Sequence, residues 1–268
     1  MPMNAGSQDN ASADDAAPIF ACDAGNTTLE WSVWADGEWK PQFRMAAEED
    51  EIERHLASAL GKVSPPPSEA GRCVVASVRP SLAELLRRCW REAGGRVEME
   101  FFGRDVGIPL KTDVRNRHRV GVDRLLCALG ASRHAGSPCV VVSAGSAIVI
   151  DAVDESGVFV GGAIAPGFRL AARSLARDTE CLPLVEPDPD AEPPADSTED
   201  AMRAGLMWLC RGGAAELVRR IGSRLDDEEV PVVVTGGDAR LLLPLPGIDR
   251  AEWLPDLLFR GISAALGL

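Results

Sequence analysis

The sequence predicts an α/β fold of two similar domains in tandem that face each other across a cleft. With 268 residues, the chain is long enough for two domains. Short apolar runs alternate with amphipathic segments along it, which is typical of α/β proteins. A strand–glycine turn–strand unit also occurs twice, at Asp23–Thr27 and, 120 residues later, at Ser143–Ala147. Such paired domains form a cleft where they meet, and ligands commonly bind there.

The first half is predicted to begin with three strands, because glycine-containing turns separate one apolar run and two alternating segments. These strands span Ile19–Asp23, Leu29–Ala35 and Glu38–Arg44. Helices are then predicted over Glu48–Leu60, Ser81–Ala93 and Val122–His134, with strands between them over Arg72–Val78 and Val97–Phe102. Ser81 and Glu84 have the spacing of a capping box at the start of their helix.

The second half repeats this order. Its first three strands are predicted over Cys139–Val142, Ile148–Val153 and Val158–Ile164. Helices follow at Phe168–Arg177, Glu199–Arg224, Ala239–Leu243 and Asp256–Leu266, with strands at Val232–Thr235 and near Ile248–Trp253. Residues 1–18 and 185–197 are too polar to pack, so we expect a disordered N-terminal segment and a mobile acidic loop. The predicted domains are therefore 19–138 and 139–268.

The charge is concentrated in two acidic stretches. The net charge is −13, and residues 1–18 and 185–200 carry ten of these excess charges. The remainder is nearly balanced, which argues against nucleic acid as a partner. No apolar run of 18 residues predicts a membrane span, and the N-terminus lacks the features of a signal peptide. Seven cysteines without a Cys-x-x-Cys pair indicate reduced thiols and a cytoplasmic protein.

Two glycine turns have the composition of phosphate-binding loops. In the first, Gly25 allows close backbone approach, and Thr27 and the N–H groups around Asn26 can donate to phosphate oxygens. Asp23 can hold Mg²⁺ directly or through water. The second turn lacks the acid and consists of Gly145, Ser146 and Ala147. Each could be a plain hairpin turn, but two at equivalent places favour a site for a nucleoside triphosphate.

Two further segments carry groups suited to kinase chemistry. Gly121-Val122-Asp123-Arg124 opens a helix, where Asp123 can act as general base for a substrate hydroxyl. Arg124 can hold a carboxylate or phosphate in fork geometry. Thr235-Gly236-Gly237 ends a strand and lets a base or ribose pass close to the backbone. The plainer alternatives are a helix N-cap with a surface arginine and a tight strand-to-helix turn.

Together these segments resemble the type III pantothenate kinases, within the superfamily of sugar kinases, heat-shock chaperone ATPases and actin. Asp23–Thr27 is similar to the family's first phosphate motif, and Gly121–Arg124 to its Gly-x-Asp-Arg signature, the most specific of the set. Further matches follow in order at Gly162–Gly167, Thr179–Pro183, Thr198, Ala201, Gly205 and Thr235–Gly237. The resemblance covers residues 19–268 and implies two tandem ribonuclease-H-like (actin-like ATPase) domains with a central cleft.

The resemblance also implies the reaction, phosphorylation of pantothenate by ATP to 4′-phosphopantothenate, the first step of coenzyme A synthesis. It implies that Asp123 is the catalytic base and that Asp23 belongs to the Mg²⁺–phosphate site. Gly121 and Arg124 would contact pantothenate, and Thr179 would join the site from the other subunit of a homodimer. The residues implied to contact ATP are Asp23, Gly25, Asn26, Thr27, Gly145, Ser146, Ala147, Gly236 and Gly237.

The chain departs from the family in two places. The second phosphate motif of the family reads Asp-x-Gly-Thr-Ala-x-Thr-x-Asp, but here Ser143 replaces the leading acid and Val149 the second threonine. That acid resembles the family's monovalent-cation ligand, so the usual need for K⁺ or NH₄⁺ is in doubt. The family's tyrosine before the signature is also missing. Arg115, Arg117 and Arg119 stand there instead and could bind an anion or form a solvated loop.

These departures leave two main hypotheses open. The first is a working pantothenate kinase with altered cation dependence, supported by Asp23, Asp123 and Arg124. The second is a catalytically impaired or repurposed homologue, either a nucleotide-binding pseudokinase or a regulator like the Bvg accessory factor. Ser143, Val149 and the missing tyrosine support it. A kinase for another small hydroxyl substrate is a third, less favoured hypothesis.

Overall fold

The structure, a computed structural model, describes residues 17–225 and 229–268. Its first part begins with three strands, β1 (Ile19–Ala24), β2 (Thr28–Ala35) and β3 (Glu38–Ala46). They are followed by α1 (Glu49–Leu60), β4 (Arg72–Ser77), α2 (Ala83–Glu92) and β5 (Met99–Phe101). The predicted disordered segment, residues 1–18, lies outside the described residues except for its last two positions.

The second part repeats this succession after a short strand and a helix, β6 (Lys111–Thr112) and α3 (Val122–Ala135). Three strands come next, β7 (Cys139–Ala144), β8 (Ala147–Val153) and β9 (Val158–Pro166). The remaining elements are α4 (Phe168–Asp178), α5 (Thr198–Arg224), β10 (Val232–Thr235), α6 (Ala239–Leu242), β11 (Ala251–Trp253) and α7 (Leu257–Leu266). No helix among the described residues has both the length and the apolar character that a bilayer span requires.

The two sheets share one topology. The first has the order β3-β2-β1-β4-β5, and the second has the order β11-β10-β7-β8-β9-β6. In the first, β2 lies antiparallel to β1 and to β3, while β4 lies parallel to β1 and to β5. The corresponding pairs of β7 to β11 run in the same directions. This is the ribonuclease-H-like arrangement, so the predicted fold class is confirmed.

Three apolar clusters hold the sheets and helices together. One lies within the first sheet and its helices, where the rings of Trp31 and Trp90 stack at 5.9 Å. A second packs β7, β8 and β10 against α5. The third joins the two halves, because it combines Val74 of β4 with Val141 of β7 and with residues of α3 and α7. This shared core lies between the two sheets, because Ala21 and Val141 are on the same strand faces as Asp23 and Ser143, and it fixes how the two halves face each other.

Two local predictions differ from the structure. The capping box at Ser81 is wrong, because Pro80–Leu82 form a 3₁₀ turn and α2 begins only at Ala83, with no side-chain cap. Proline has no N–H and a preset φ, which suits the first turn of a helix and starts the turn earlier than predicted. β6, which was not predicted, pairs with β9 and so extends the second sheet from a position before residue 139.

Candidate active site

A cleft of about 380 Å³ is lined by residues of both sheets and of α3. The first sheet contributes Asp23, Gly25, Thr28, Glu30 and Arg44, and α3 contributes Asp123, Arg124 and Cys127. The second sheet and the segments after it contribute Ser143, Val149, Thr235, Gly236, Gly237, Arg240, Trp253, Pro255, Leu258 and Phe259. The cleft therefore brings together the first phosphate turn, the helix signature and the late glycine pair that the sequence singled out.

The two predicted phosphate turns lie next to each other, and Gly25 of the first lines the cleft. The other predicted residues of the turns do not line it: Asn26, Thr27, Gly145, Ser146 and Ala147. In each turn the glycine N–H donates across the turn, from Gly25 to the Thr28 carbonyl three residues on and from Gly145 to the Ala147 carbonyl two residues on, both at 3.0 Å. The second turn is therefore one residue tighter. The hydroxyls of Thr27 and Ser146 lie 3.1 Å apart and share a hydrogen bond. Two donors from different halves of the chain are thus close enough to bind one polyphosphate.

The first turn of α3 presents Asp123 and Arg124 to the cleft. The Arg124 N–H donates to Oδ1 of Asp123 at 2.8 Å, which restricts the carboxylate. Gly121 leaves room for it, since a Cβ there would lie 2.3 Å from that oxygen. The Arg124 guanidinium forms a two-bond ion pair with Asp151 of β8, with Nε–Oδ2 at 3.0 Å and Nη2–Oδ1 at 2.5 Å.

Two acids of the cleft, Asp23 and Asp123, have raised pKa values. Burial, with smaller contributions from Asp123 and Glu30, raises the pKa of Asp23 to about 7, although Arg44 opposes the shift. Burial also raises the pKa of Asp123, against the hydrogen bond from the Arg124 N–H. Two consequences follow. Asp123 is a better proton acceptor than an exposed aspartate, and a cation beside Asp23 would relieve the repulsion among these carboxylates.

Glu30 and Arg44 belong to the site although sequence reasoning missed them. In the first sheet Asp23 is paired with Glu30 and Glu30 with Arg44, so the three residues form one row across β1, β2 and β3. Arg44 Nη2 lies 2.9 Å from where a Cβ of Gly237 would be, so the guanidinium crosses to the opposite wall. The register of the two hairpins is the signal that would have identified this row.

A stacked pair at the rim was also missed. The Arg240 guanidinium lies 4.4 Å from the centre of the Trp253 ring, and both residues line the cleft. Trp253 is paired with Val234 of β10, which places it beside the Thr235–Gly237 turn. A flat cation–aromatic pair next to that turn offers a surface against which a planar base could lie.

Several predicted site residues lie elsewhere or are changed. Thr179 is exposed, donates to the Leu175 carbonyl at 2.8 Å and does not line this cleft. The arginines before the signature are exposed around a 3₁₀ turn and do not line it either: Arg115, Arg117 and Arg119. Ser143 does line it, paired with Val149 on one side and Thr235 on the other, so none of the described residues that line the cleft from the second sheet is a carboxylate.

Comparisons with known proteins identify one family. The family model described as type III pantothenate kinase matches residues 19–220. A type III pantothenate kinase of Akkermansia muciniphila is 34% identical over 73% of this chain and 78% of its own length. Another, from Gluconobacter oxydans, is 32% identical over 83% of each chain. The crystal structure of a conserved Baf-family protein from Campylobacter jejuni shares the fold, with a TM-score of 0.55 at 20% identity over 92% and 97% of the two chains.

Proposed function

The chain belongs to the type III pantothenate kinase family, and we propose that it phosphorylates the 4′-hydroxyl of pantothenate with ATP. The observation that carries this proposal is the cleft itself, in which Asp123 faces the row of Asp23 and Arg44. The hydroxyls of the two phosphate turns, Thr27 and Ser146, are in contact with each other and lie next to Gly25, which lines the cleft. Asp123 takes the hydroxyl proton as the oxygen attacks the γ-phosphorus, and ADP leaves. Phosphoryl transfer depends mainly on positioning and charge neutralisation, which these groups can supply.

Magnesium fits the first phosphate turn. Mg²⁺ binds proteins through one or two carboxylates together with substrate phosphates and water. Asp23 supplies one carboxylate, whose pKa is raised mainly by burial and further by the nearby carboxylates of Asp123 and Glu30, so a bound cation would stabilise its charged form. The bound ion would neutralise charge on the transferring phosphoryl group. Asp23 would hold the ion, while Thr27 and Ser146 would donate to phosphate oxygens.

The reaction is tested by ADP release from the full-length protein with ATP and Mg²⁺, with and without pantothenate. We expect release that depends on pantothenate and yields 4′-phosphopantothenate. If ATP binds but millimolar pantothenate elicits no release, the protein is the impaired or repurposed homologue instead. If a different small alcohol is phosphorylated preferentially, the substrate assignment is wrong and the kinase assignment stands.

Ser143 bears on the monovalent cation. Because a hydroxyl stands where the family has a carboxylate, we expect equal rates in Na⁺ and K⁺ for the wild type. Ser143→Asp should make the rate several-fold higher in K⁺ than in Na⁺, since it restores a charged oxygen ligand to the wall. Ser143→Asn, which adds bulk without charge, is the matched control and should show no such difference. A K⁺ response in Ser143→Asn, or none in Ser143→Asp, would contradict this assignment.

A homodimer completes the proposal. The predicted pantothenate contact Thr179 lies outside the cleft of its own chain, so a second copy would have to supply it. Exposed apolar side chains lie on β9, α4 and α5 and in the loop between the helices: Val160, Ile164, Leu170, Leu184, Trp208 and Leu209. Such side chains on neighbouring elements are typical of an interface.

A cytoplasmic location, also proposed, is supported by the seven cysteines, all of which are free thiols.

Ile164→Glu tests the dimer, because this side chain is 63% exposed on the open face of β9. Light scattering after size exclusion should give twice the chain mass for the wild type and a single chain mass for the variant. The variant should also lose pantothenate turnover at low protein concentration. Leu268→Glu, a matching change at the exposed C-terminus, should remain dimeric. A monomeric but fully active wild type would exclude a shared site.

A further inference from the structure

We propose that Asp151 is a positioning residue, which fixes the guanidinium of Arg124 so that its outer edge receives the carboxylate of pantothenate. This inference rests on the proposed function, because the ligand it names is the substrate of that reaction. Asp151 was not among the predicted site residues, and it does not line the cleft. It lies behind Arg124 in the middle of β8, and so it can act on a ligand only through Arg124.

The contact between the two side chains is close and buried. Asp151 accepts from Nε and Nη2 of Arg124, and its side chain is 4% exposed while that of Arg124 is 19% exposed. A paired arginine and carboxylate in this geometry are held in both distance and plane. The remaining exposure belongs to Arg124, which lines the cleft, so the pair points from the sheet interior toward the ligand.

The surroundings are shaped for this pair. Gly162 of β9 stands opposite Asp151 in the sheet, and a Cβ there would lie 1.9 Å from the Ile150 carbonyl oxygen and 2.7 Å from Oδ1 of Asp151. A larger residue at 162 would therefore displace the backbone of β8 together with the Asp151 carboxylate. The ring of Phe159 lies 5.7 Å from the guanidinium carbon of Arg124 and adds an aromatic contact. Two residues of β9 thus support the position of one arginine.

The donors of Arg124 divide between the sheet and the cleft. A guanidinium has five N–H groups, and the bonds to Asp151 use the side edge formed by Nε and Nη2. The outer edge, formed by Nη1 and the second hydrogen of Nη2, is left for a ligand. A carboxylate matches two parallel N–H donors at that edge. Because Asp151 holds the plane before the substrate arrives, little side-chain order is lost on binding.

The test compares Asp151→Asn with the wild-type enzyme. The isosteric amide cannot accept both bonds, so the guanidinium should rotate, and we expect the KM for pantothenate to rise about 10- to 100-fold. The KM for ATP should stay within twofold. Asp151→Glu, which keeps the charge, should recover part of the loss. If Asp151→Asn does not fold, Phe159→Leu serves as the second variant and should raise the pantothenate KM in the same direction.

Two comparisons separate positioning from general stability. Glu100→Gln breaks a half-buried ion pair with Arg72 away from the cleft and should change neither KM. The double variant Asp151→Asn with Arg124→Lys should have the same KM for pantothenate as Arg124→Lys alone, because both changes act through one guanidinium. Equal effects on both KM values, or effects that multiply in the double variant, would overturn the proposal.

A measurement without turnover keeps this inference distinct from the proposed function. In ¹⁵N-labelled protein the Nε–H signal of Arg124, assigned by its loss in Arg124→Lys, should exchange slowly with water. Asp151→Asn should make that exchange fast, whereas Glu100→Gln should not. An unchanged signal in Asp151→Asn would overturn the positioning role. If the Nε–H of Arg124 exchanges slowly but the wild type does not phosphorylate pantothenate, the ion pair with Asp151 is supported. The proposed function is then wrong, and so is the assignment of the pantothenate carboxylate as the ligand of Arg124.

Discussion

Asp123→Asn is expected to lower kcat for pantothenate by about 10²- to 10⁴-fold, the usual contribution of a general base. The side chain stands in the first turn of α3, facing the row of Asp23, Glu30 and Arg44. The amide is of equal size and can still accept from the Arg124 N–H, but it cannot take the hydroxyl proton. The KM for ATP and the thermal unfolding midpoint should therefore change little. Steady-state kinetics of ADP release measure this effect.

The pH profile offers an independent check on the same residue. Burial raises the pKa of Asp123, so its charged form is lost at a higher pH than for an exposed aspartate. At saturating Mg²⁺ and ATP, where the ion would keep Asp23 charged, the wild-type kcat should therefore fall as the pH decreases through the raised pKa of Asp123. The residual activity of Asp123→Asn should lack this fall. Asp249→Asn, at an exposed position outside the cleft, should retain the full rate and the profile. A fully active Asp123→Asn would remove the base from the mechanism.

Most of the fold followed from local regularities in the sequence. The strand–turn–strand unit recurs because each domain begins with the same antiparallel meander, and the order of the later elements follows from apolar periodicity. β6 escaped prediction because a two-residue edge strand has no periodicity of its own and depends on β9, 47 residues further along the chain. The capping box at Ser81 was predicted wrongly because a serine three residues before a glutamate, here Glu84, has the spacing of a cap. The preceding Pro80 already begins a 3₁₀ turn, and this places Ser81 inside that turn.

The site was predictable only where one short segment carries the chemistry. Asp23, Asp123 and Arg124 stand in such segments, and the structure brings them to one cleft. Arg44 stands in no such segment, and Asp151, although it is the acid that ends the second phosphate motif, could not be assigned its role there, because both roles depend on pairing between separate elements. Arg44 reaches the site through the register of two hairpins, and Asp151 through the packing of α3 against β8. Such contacts are products of tertiary packing and leave no spacing rule in the chain.

Asp23→Asn is expected to have two opposite effects, loss of activity and gain of stability. Without the carboxylate, the proposed Mg²⁺ site would lose its protein ligand, and we expect kcat/KM for ATP to fall at least about 100-fold. The loss should be accompanied by weaker, Mg²⁺-independent binding of ATP, which titration calorimetry with and without Mg²⁺ measures. Asp249→Asn again serves as the matched control. Undiminished Mg²⁺-dependent binding in Asp23→Asn would place the ion on other groups.

The gain of stability follows from the pKa of Asp23 in the protein without Mg²⁺. The folded state holds the Asp23 proton up to about pH 7, whereas a free aspartate loses it near 3.8, so the folded state binds more protons between these values. The free energy of unfolding that Asp23 contributes therefore falls as the pH rises from 4 to 7. Asn at this position avoids that cost, and in EDTA at pH 8 Asp23→Asn should be more stable than the wild type by roughly 2 to 4 kcal/mol.

Near pH 4 the wild type and Asp23→Asn should unfold at the same denaturant concentration. If the difference in the free energy of unfolding between Asp23→Asn and the wild type does not vary with pH, then burial of the charged Asp23 carboxylate is not the cause of that difference. A residue that the reaction needs would then be one that the fold tolerates at a cost in stability, as expected for a buried acid placed to meet a cation.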